Sequence, residues 1–293
     1  MATRTVGVIG GSGLYAMEGL ENVEQFTVET TFGAPSDAVV SGTLSGPHGD
    51  TRLLFLPRHG RGHRIPPHQI NYSANLLALK SMGAEQLISV SAVGSMKESI
   101  KPGDMVVVDQ FIDRTRTRPS TFFEDGVVAH VEFADPVDGA LAECLYRASV
   151  EVGARVHRGG TYVCIEGPQF STRAESRLYR SWGVDVIGMT NLPEARLARE
   201  AELPYATLAL ATDYDCWHQG EESVTVEAVI AVMQQNIATA RKIVRAVATK
   251  LPDPAKSPAT TALQHAIMTA PDQIPADART RLEPLLARLE EKR

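Results

Sequence analysis

An α/β fold is what this chain predicts: a single domain in which a central mixed, mostly parallel twisted sheet is flanked by helices. Two observations carry the prediction. Apolar, β-branched runs of strand length recur along the 293 residues, and helical patterns lie between several of them. That alternation is the mark of helices laid over the faces of a parallel sheet.

The strand runs fall at residues 5–9, 52–56, 86–91, 105–108, 161–165, 184–189 and 205–211. Most have the length of an ordinary strand. The last is built only of small or apolar uncharged residues, which predicts a central strand covered on both faces. Helical patterns occupy 69–82, 140–152, 172–182 and 193–201. The longest helix starts near Thr225, where Val226, Val229, Ile230, Met233, Ile237, Ala240, Val244 and Val247 recur at three- and four-residue steps and predict one face packed on the sheet. Leu251-Pro252-Asp253-Pro254 stops it. The domain is therefore drawn at 1–250, with 251–293 as a linker and C-terminal helical tail. Residues 257–261 are a linker by composition, and the Leu- and Arg/Glu-rich stretch 276–292 is helical. Docking on the domain, pairing with another subunit and staying loose are all open to that tail.

Composition narrows the function. A chain with 43% hydrophobic and 22% charged residues is ordinary for a globular protein, and a formal net charge of -6 argues against a basic nucleic-acid surface. Arg114, Arg116 and Arg118 form a local basic patch. Alternating with Thr before a Pro, they suit a loop, with a substrate or subunit contact equally open. Cys144, Cys164 and Cys216 are widely spaced and odd in number, suggesting neither a disulfide framework nor a zinc cluster. The first strand is too short and too Gly-broken for a signal peptide, and no stretch has the length of a membrane span. The cytoplasm is the default location.

Chemistry concentrates where the predicted strands end, the place where open α/β sheets bind ligands. Gly10-Gly11-Ser12-Gly13-Leu14 follows the first strand, and its backbone N–H groups with the Ser12 hydroxyl suit an anion. Gly11-x-Gly13-x-x-Ala16 also meets a loose dinucleotide fingerprint, but residues 17–31 show neither a clear helix nor a clean apolar second strand. A phosphate without a dinucleotide fits better, and a purely structural turn stays open. Arg58 ends the second strand, where a guanidinium is a bidentate anion clamp. Ser91 and Thr190 end two further strands. Three hydroxyls and one Arg at four strand ends make a tetrahedral anion site without a metal.

Two more segments join them. Glu166-Gly167-Pro168-Gln169-Phe170-Ser171-Thr172 opens a helix, with Ser171 or Thr172 as N-cap and Glu175 in the first turn. Phe170 there suits either a stack on a planar ring or a plug beneath the loop. Asp213 and Asp215 bracket Tyr214 after the 205–211 strand. If the chain stays extended, side chains two apart share one side, so both carboxylates converge on one ligand edge. Like charges held close cannot both ionise easily, so one pKa should be raised. A frayed strand end with Asp in turn roles is the other reading.

Ile9-Gly10-Gly11-Ser12-Gly13-Leu14, Arg58-His59-Gly60, Asn71-Tyr72-x-Ala74-Asn75, Ser91-Ala92-Val93-Gly94-Ser95, Asp109 through Thr115, Glu166 through Glu175, Gly188-Met189-Thr190 and Ala211 through Trp217 together resemble the motifs of the trimeric purine nucleoside phosphorylases. The resemblance runs in order over about residues 5 to 250 and leaves the tail outside. It implies the nucleoside phosphorylase fold and a pentosyltransferase that cleaves a purine nucleoside with inorganic phosphate as co-substrate, needing no cofactor or metal. Within the family the motifs are most similar to members acting on 5'-methylthioadenosine, so the implied products are adenine and 5-methylthioribose 1-phosphate. A broader purine nucleoside or methylthioinosine phosphorylase is the alternative. From another class, a nucleoside- or dinucleotide-binding module using the Gly-rich turn competes with both.

Position by position, the resemblance implies phosphate contacts from Ser12, Arg58, His59, Ser91, Ala92 and Thr190. It puts Met189 under the ribose and Phe170, Ser171 and Ala92 beside the base. Asp213, Tyr214 and Asp215 meet the purine's N7 and N6 edge, with Asp213 as the acid at N7. A carboxylate accepts from an exocyclic amino group and repels a carbonyl oxygen, so the pair favours adenine; 6-oxopurine members carry Asn at the key contact. Val226, Val229 and Ile230 wall the 5' methylthio group, unless they are ordinary core positions. His63 and His130 match positions near the 5' end, His130 from a neighbouring subunit, although each equally suits a surface or core role. A homotrimer or dimer of trimers, no nucleic acid and no membrane complete the implied picture. Ser12 stands where close relatives often carry Thr, and the longer tail leaves the choice between trimer and hexamer open.

Overall fold

The computed structural model describes residues 3–11, 13–47, 49–218 and 226–290. Among them eleven strands form one sheet. They are β1 (Arg4–Gly10), β2 (Glu21–Phe26), β3 (Val39–Leu44), β4 (Thr51–Pro57), β5 (Gln86–Ser95), β6 (Met105–Val107), β7 (Gln110–Arg114), β8 (Val156–Arg158), β9 (Thr161–Ile165), β10 (Val186–Gly188) and β11 (Tyr205–Asp213). The flanking helices are α1 (Tyr72–Ser81), α2 (Gly139–Glu151), α3 (Arg173–Ser181), α4 (Asn191–Glu200), α5 (Val226–Ala248) and α6 (Ala276–Glu290). The mixed, mostly parallel sheet expected from the sequence is present. β1 runs parallel to β4 and β5, β11 parallel to β5, and β9 parallel to β7 and β10.

Four strands carried no periodic signal, and each has a local reason. β2 is an edge strand, exposed along most of its length, so no apolar face exists to be seen. β3 is interrupted by Ser41 and Gly42. β7 is polar and lies at the opposite edge of the sheet path, and β8 has three residues with a partly exposed pattern.

Cap chemistry starts the helices where side chains can satisfy the orphan N–H groups of the first turn. The Asn71 carbonyl accepts from the Ala74 amide, and the Asp138 carboxylate from the Leu141 amide. At α3 the cap is Thr172. Its hydroxyl accepts from the Glu175 amide at 3.2 Å while the Glu175 carboxylate accepts from the Thr172 amide at 2.8 Å, a complete capping box.

The two sheet faces bury separate clusters. One gathers Leu76 and Leu79 of α1, Leu197 and Ala198 of α4 and strand residues such as Ile9, Leu54 and Leu87. The other gathers Leu141 and Leu145 of α2 with Ala240, Ile243, Val244 and Val247 of α5. For α5 the expected packing face is corrected: burial begins only at Asn236, and Ile230 is 49% exposed.

Of the three arrangements open to the tail, docking on the domain is the one present. Within residues 257–261 the Ser257 hydroxyl caps a short 3-10 turn and Ala259 is buried. Leu263, Ala278, Leu282, Leu285 and Leu286 belong to the same core cluster as α1 and α4, so the core continues past residue 250. Composition misses this because hydrophobic docking needs only a few apolar residues at the right faces. Among the described residues no helix is long and apolar enough to cross a membrane.

Leu282 is fully buried on α6. Leu282→Ala should lower unfolding stability by about 2–5 kcal/mol in urea titrations. A change within about 0.5 kcal/mol, the usual range of surface substitutions, would mean that the tail is not part of the cooperative core.

Candidate active site

The site is built where the sheet forks. β1 pairs with β5 from Val6 opposite Gln86 to Ile9 opposite Ser89, then leaves into the Gly-rich turn. On the same side of β5, β10 pairs antiparallel only with Ser95 and Gly94. Residues 90–93 of β5 therefore have no strand partner on that side, among the described residues, and a crevice opens at the carboxyl ends of the parallel strands. Ala92 is exposed there in the middle of an otherwise buried strand. Gly10 has to lack a side chain, since a Cβ would lie 3.1 Å from the Val90 carbonyl and collide with Leu14.

Arg58 holds the crevice floor. Its amide donates to the Gly10 carbonyl at 2.9 Å. Its guanidinium, 2% exposed, donates to the Val90 carbonyl at 3.1 Å, the Ile9 carbonyl at 3.2 Å and the Ser89 hydroxyl at 2.7 Å. Nε and Nη2 form a fork on the fully buried Glu194 carboxylate at 2.7 and 3.1 Å. Burial alone would pull the guanidinium pKa down, but the Glu194 carboxylate raises it above its ordinary value, so Arg58 stays charged. Of its five N–H donors, one Nη1 hydrogen has no acceptor among the described residues.

A polar network extends from this pair. Tyr205 donates its hydroxyl to Glu194 at 3.0 Å, and burial raises its pKa far above the usual phenol value, so the proton stays. The Asn191 amide donates to the Tyr205 and Thr207 hydroxyls, both at 2.7 Å, and its carbonyl accepts from the Ser91 hydroxyl at 2.9 Å. Thr190 sits at the N-cap of α4, yet its side chain does not cap the helix. Ser91, Thr190 and Arg58 are thus brought together through Asn191, Ser89 and Glu194. His59 is half-buried beside Arg58, its Nδ1 donating to the Ile65 carbonyl at 2.8 Å, and its ring stacks on His63 at 4.2 Å. Burial lowers the His59 pKa to about 4, the Ile65 contact opposing and the Arg58 charge adding, so the ring is neutral at pH 7 with Nε2 unprotonated.

The carboxylate pair stands at the far end of β5. The extended geometry expected from the sequence is corrected: the register of β11 against β5 breaks between Ala211 and Asp213, and Asp215 has a φ of 53°. A bulge re-aims side chains in this way. Both residues still meet at Gly94, where a Cβ would lie 3.1 Å from Asp213 Oδ1 and 3.3 Å from the Asp215 Cβ. Asp213 accepts from the Thr212 hydroxyl at 2.7 Å and the Asp215 amide at 2.8 Å. Burial raises its pKa; those two hydrogen bonds oppose the rise, and the Asp215 charge adds a smaller push. The cause is therefore chiefly desolvation rather than the like charge alone.

Asp215 accepts from the Ser171 hydroxyl, 2.8 Å from both carboxylate oxygens, which ties the pair to the loop before α3. Phe170 on that loop is 79% exposed, so the buried-plug alternative is excluded. Met189 packs against Gly167 of the same loop. Tyr214 stacks on His218 at 4.6 Å, and Trp217 is held by its indole N–H donating to the Ser95 carbonyl at 2.7 Å, with the Arg180 guanidinium 3.5 Å over the ring.

Ser12 and the side chains of Val226 and Val229 lie outside the described residues. His130 is exposed, and its amide donates to the Ala266 carbonyl of the tail at 2.8 Å. Among the described residues no group of three or more His, Cys, Asp or Glu side chains is arranged to hold a metal ion.

Residues 5–249 match the family model described as the phosphorylase superfamily. The chain belongs to that family. The S-methyl-5'-thioadenosine phosphorylase of Geobacter sulfurreducens is 57% identical over 281 residues, covering 96% of this chain and 97% of that protein. Among solved structures, a methylthioadenosine phosphorylase from an antarctic soil metagenomic library is 47% identical, with a TM-score of 0.90 over 98% of this chain and 100% of its own. The methylthioadenosine phosphorylase of Schistosoma mansoni in complex with adenine is 37% identical, with a TM-score of 0.78 over 85% and 93% of the two chains.

Glu194 and Asn191 escaped the sequence reasoning. Asn191 and Glu194 open α4, where polar residues are ordinary start signals, and nothing local distinguishes a buried carboxylate from a solvated one. Of the three arginines in the basic patch, Arg118 is buried while Arg114 and Arg116 are exposed. Its alternation with Thr gave no sign of that.

Glu194→Gln should cost about 3–5 kcal/mol of stability in urea unfolding, since it leaves the Arg58 charge buried without its counter-charge. A loss below about 1 kcal/mol, the median worth of an exposed pair, would show that this ion pair is not the element that compensates Arg58.

Proposed function

We propose that this chain catalyses phosphorolysis of S-methyl-5'-thioadenosine to adenine and 5-methylthioribose 1-phosphate. The observation that carries the reading is the partly buried Asp213 carboxyl, with its raised pKa, on β11 beside β5, the strand along which the crevice near Arg58 opens. The relatives named above act on this substrate by name, and their similarity extends over nearly the whole chain.

In this reading phosphate is held by Ser12, Arg58, His59, Ser91, Ala92 and Thr190. With one Nη1 hydrogen unclaimed among the described residues, Arg58 contributes a direct donor and its charge. Met189 lies under the ribose, Phe170 offers its exposed ring to the purine, and Val226, Val229 and Ile230 with His63 and His130 meet the 5' substituent. The bond from purine N9 to C1' breaks, its electron pair goes to the base, and a phosphate oxygen bonds C1'. Asp213 donates its proton to N7, offsetting charge that develops only as the bond breaks, while the phosphate stabilises the oxocarbenium-like sugar from the opposite face. Asp215, held by Ser171, accepts from the 6-amino group. The acceptor is inorganic phosphate and no cofactor takes part. A homotrimer or dimer of trimers in the cytoplasm is the proposed setting, in keeping with three free thiols.

A phosphorolysis panel of methylthioadenosine, adenosine, inosine and methylthioinosine should show phosphate-dependent adenine release, fastest from methylthioadenosine. Comparable turnover of inosine would instead support the broader purine phosphorylase, and no base release with phosphate present would overturn the reading. Asp213→Asn should lower kcat by about 10²–10⁴-fold, as loss of a general acid does.

The pH dependence has a definite sign. The protonated carboxyl is the active form, and its pKa lies above the ordinary carboxylate value, so kcat/KM should fall as pH rises through it. Thr212→Val removes a hydrogen bond that favours the ionised form and should move that falling limb to higher pH. A limb that stays in place would count against Asp213 as the acid.

A further inference from the structure

Arg118 lies outside every role set out above, yet it is one of the most heavily bonded side chains in the molecule. It comes from the stretch after β7 and is buried. Nη1 donates to the Met189 carbonyl at 2.6 Å, the Leu192 carbonyl at 2.8 Å and the Tyr72 hydroxyl at 3.0 Å. Nη2 donates to the Glu166 carbonyl at 2.6 Å and the Ile165 carbonyl at 3.3 Å. Nε is buried with no hydrogen-bond partner, 3.8 Å from the Glu166 carboxylate.

The acceptors define what the group does. Met189 and Leu192 flank Thr190 and Asn191, the turn that enters α4. Leu192 has non-helical angles there, so its carbonyl is turned out of the helix ladder. Ile165 and Glu166 end β9 and lead into the loop that carries Phe170 and Ser171. The Glu166 side chain fastens the same junction from the other direction, accepting from the Arg116 amide at 2.6 Å and the Thr117 hydroxyl at 2.7 Å. One planar cation thus spans the carboxyl ends of β9 and β10, where main-chain carbonyls would otherwise be buried with fewer donors.

We infer that Arg118 is a positioning residue for the reaction: it sets the distance between the Thr190–Asn191 turn and the Phe170–Ser171 loop. The inference rests on the proposed phosphorolysis, in which phosphate lies at the first and the purine at the second. In-line attack needs both partners at a set separation, and a misplacement of about 1 Å can cost on the order of 100-fold in rate. Lysine cannot replace the group, because a single ammonium lacks the flat fork that reaches two strand ends at once.

The test compares wild type, Arg118→Met, Arg118→Lys and a control, Leu145→Ala, which opens the core under α2 without touching these loops. Hydrogen exchange is followed by mass spectrometry without substrate, and steady-state kinetics with methylthioadenosine and phosphate. Exchange over 166–171 and 189–192 should quicken in both Arg118 variants and not in the control. kcat should fall about 100-fold in Arg118→Met and about tenfold in Arg118→Lys, with the phosphate KM within threefold of wild type. Should Arg118→Met fail to fold, Arg118→Lys, which keeps the charge, carries the comparison. Unchanged exchange at either segment overturns the inference, and so does faster exchange with kcat within threefold of wild type. A wild type that releases no adenine is a different failure: it removes the phosphorolysis reading and the positioning role with it, while exchange still reports whether Arg118 holds the two segments.

Discussion

The buried pair of Arg58 and Glu194 is the constraint on which the rest of the site depends. It lies beneath the fork of the sheet, where β1 departs from β5 and leaves a stretch of strand unpaired. Carbonyls of Ile9 and Val90 at that fork need donors, and the Arg58 guanidinium supplies them. A buried guanidinium in turn needs a counter-charge, which Glu194 brings from α4. Such pairs add little net stability, because desolvation offsets most of the Coulomb attraction. What the pair supplies is position: a guanidinium held at the fork of the sheet, with one Nη1 hydrogen unclaimed among the described residues.

The two ends of the crevice are polarised in opposite senses by one cause. At the Arg58 end, burial has been answered by a counter-charge, and the cation persists. At the Asp213 end, burial is answered by two hydrogen bonds and, among the described residues, by no ion pair, and the carboxyl pKa is raised. His59 is pushed to neutrality for the same reason. Desolvation, applied to groups with different partners, thus leaves a paired cation at one end and a carboxyl with a raised pKa at the other. That is the arrangement a reaction needs when an anion attacks one face and the leaving group gathers charge at the other.

Much of this was legible in the order of residues. The strand runs around Ile9, Leu56, Ser91, Cys164 and Ala211 were visible because buried parallel strands are apolar on both faces, and the Thr172 cap because its partner Glu175 is three residues away. Other features were hidden by their own chemistry. β2 has no apolar face to betray it, and residues 257–261 look like a linker because a short capped turn uses the same Ser, Pro and Thr as a loose one. Phe170 was ambiguous between plug and platform, since spacing carries no information about which side of a loop faces water.

By itself the sequence determined the alternation of strands and helices, the strand ends at which reactive residue types collect, and the family those motifs resemble. These are local properties: periodicity, caps and short motifs are written within one turn or one strand. Only the tertiary structure decided that Arg58 is paired with a carboxylate 136 residues away, that Asp213 owes its raised pKa mainly to burial, and that Arg118 leaves a basic patch to join two strand ends. Each depends on which distant segment removes a group from water and which donors arrive with it, and neither desolvation nor hydrogen-bond partnership is encoded in any short stretch of chain.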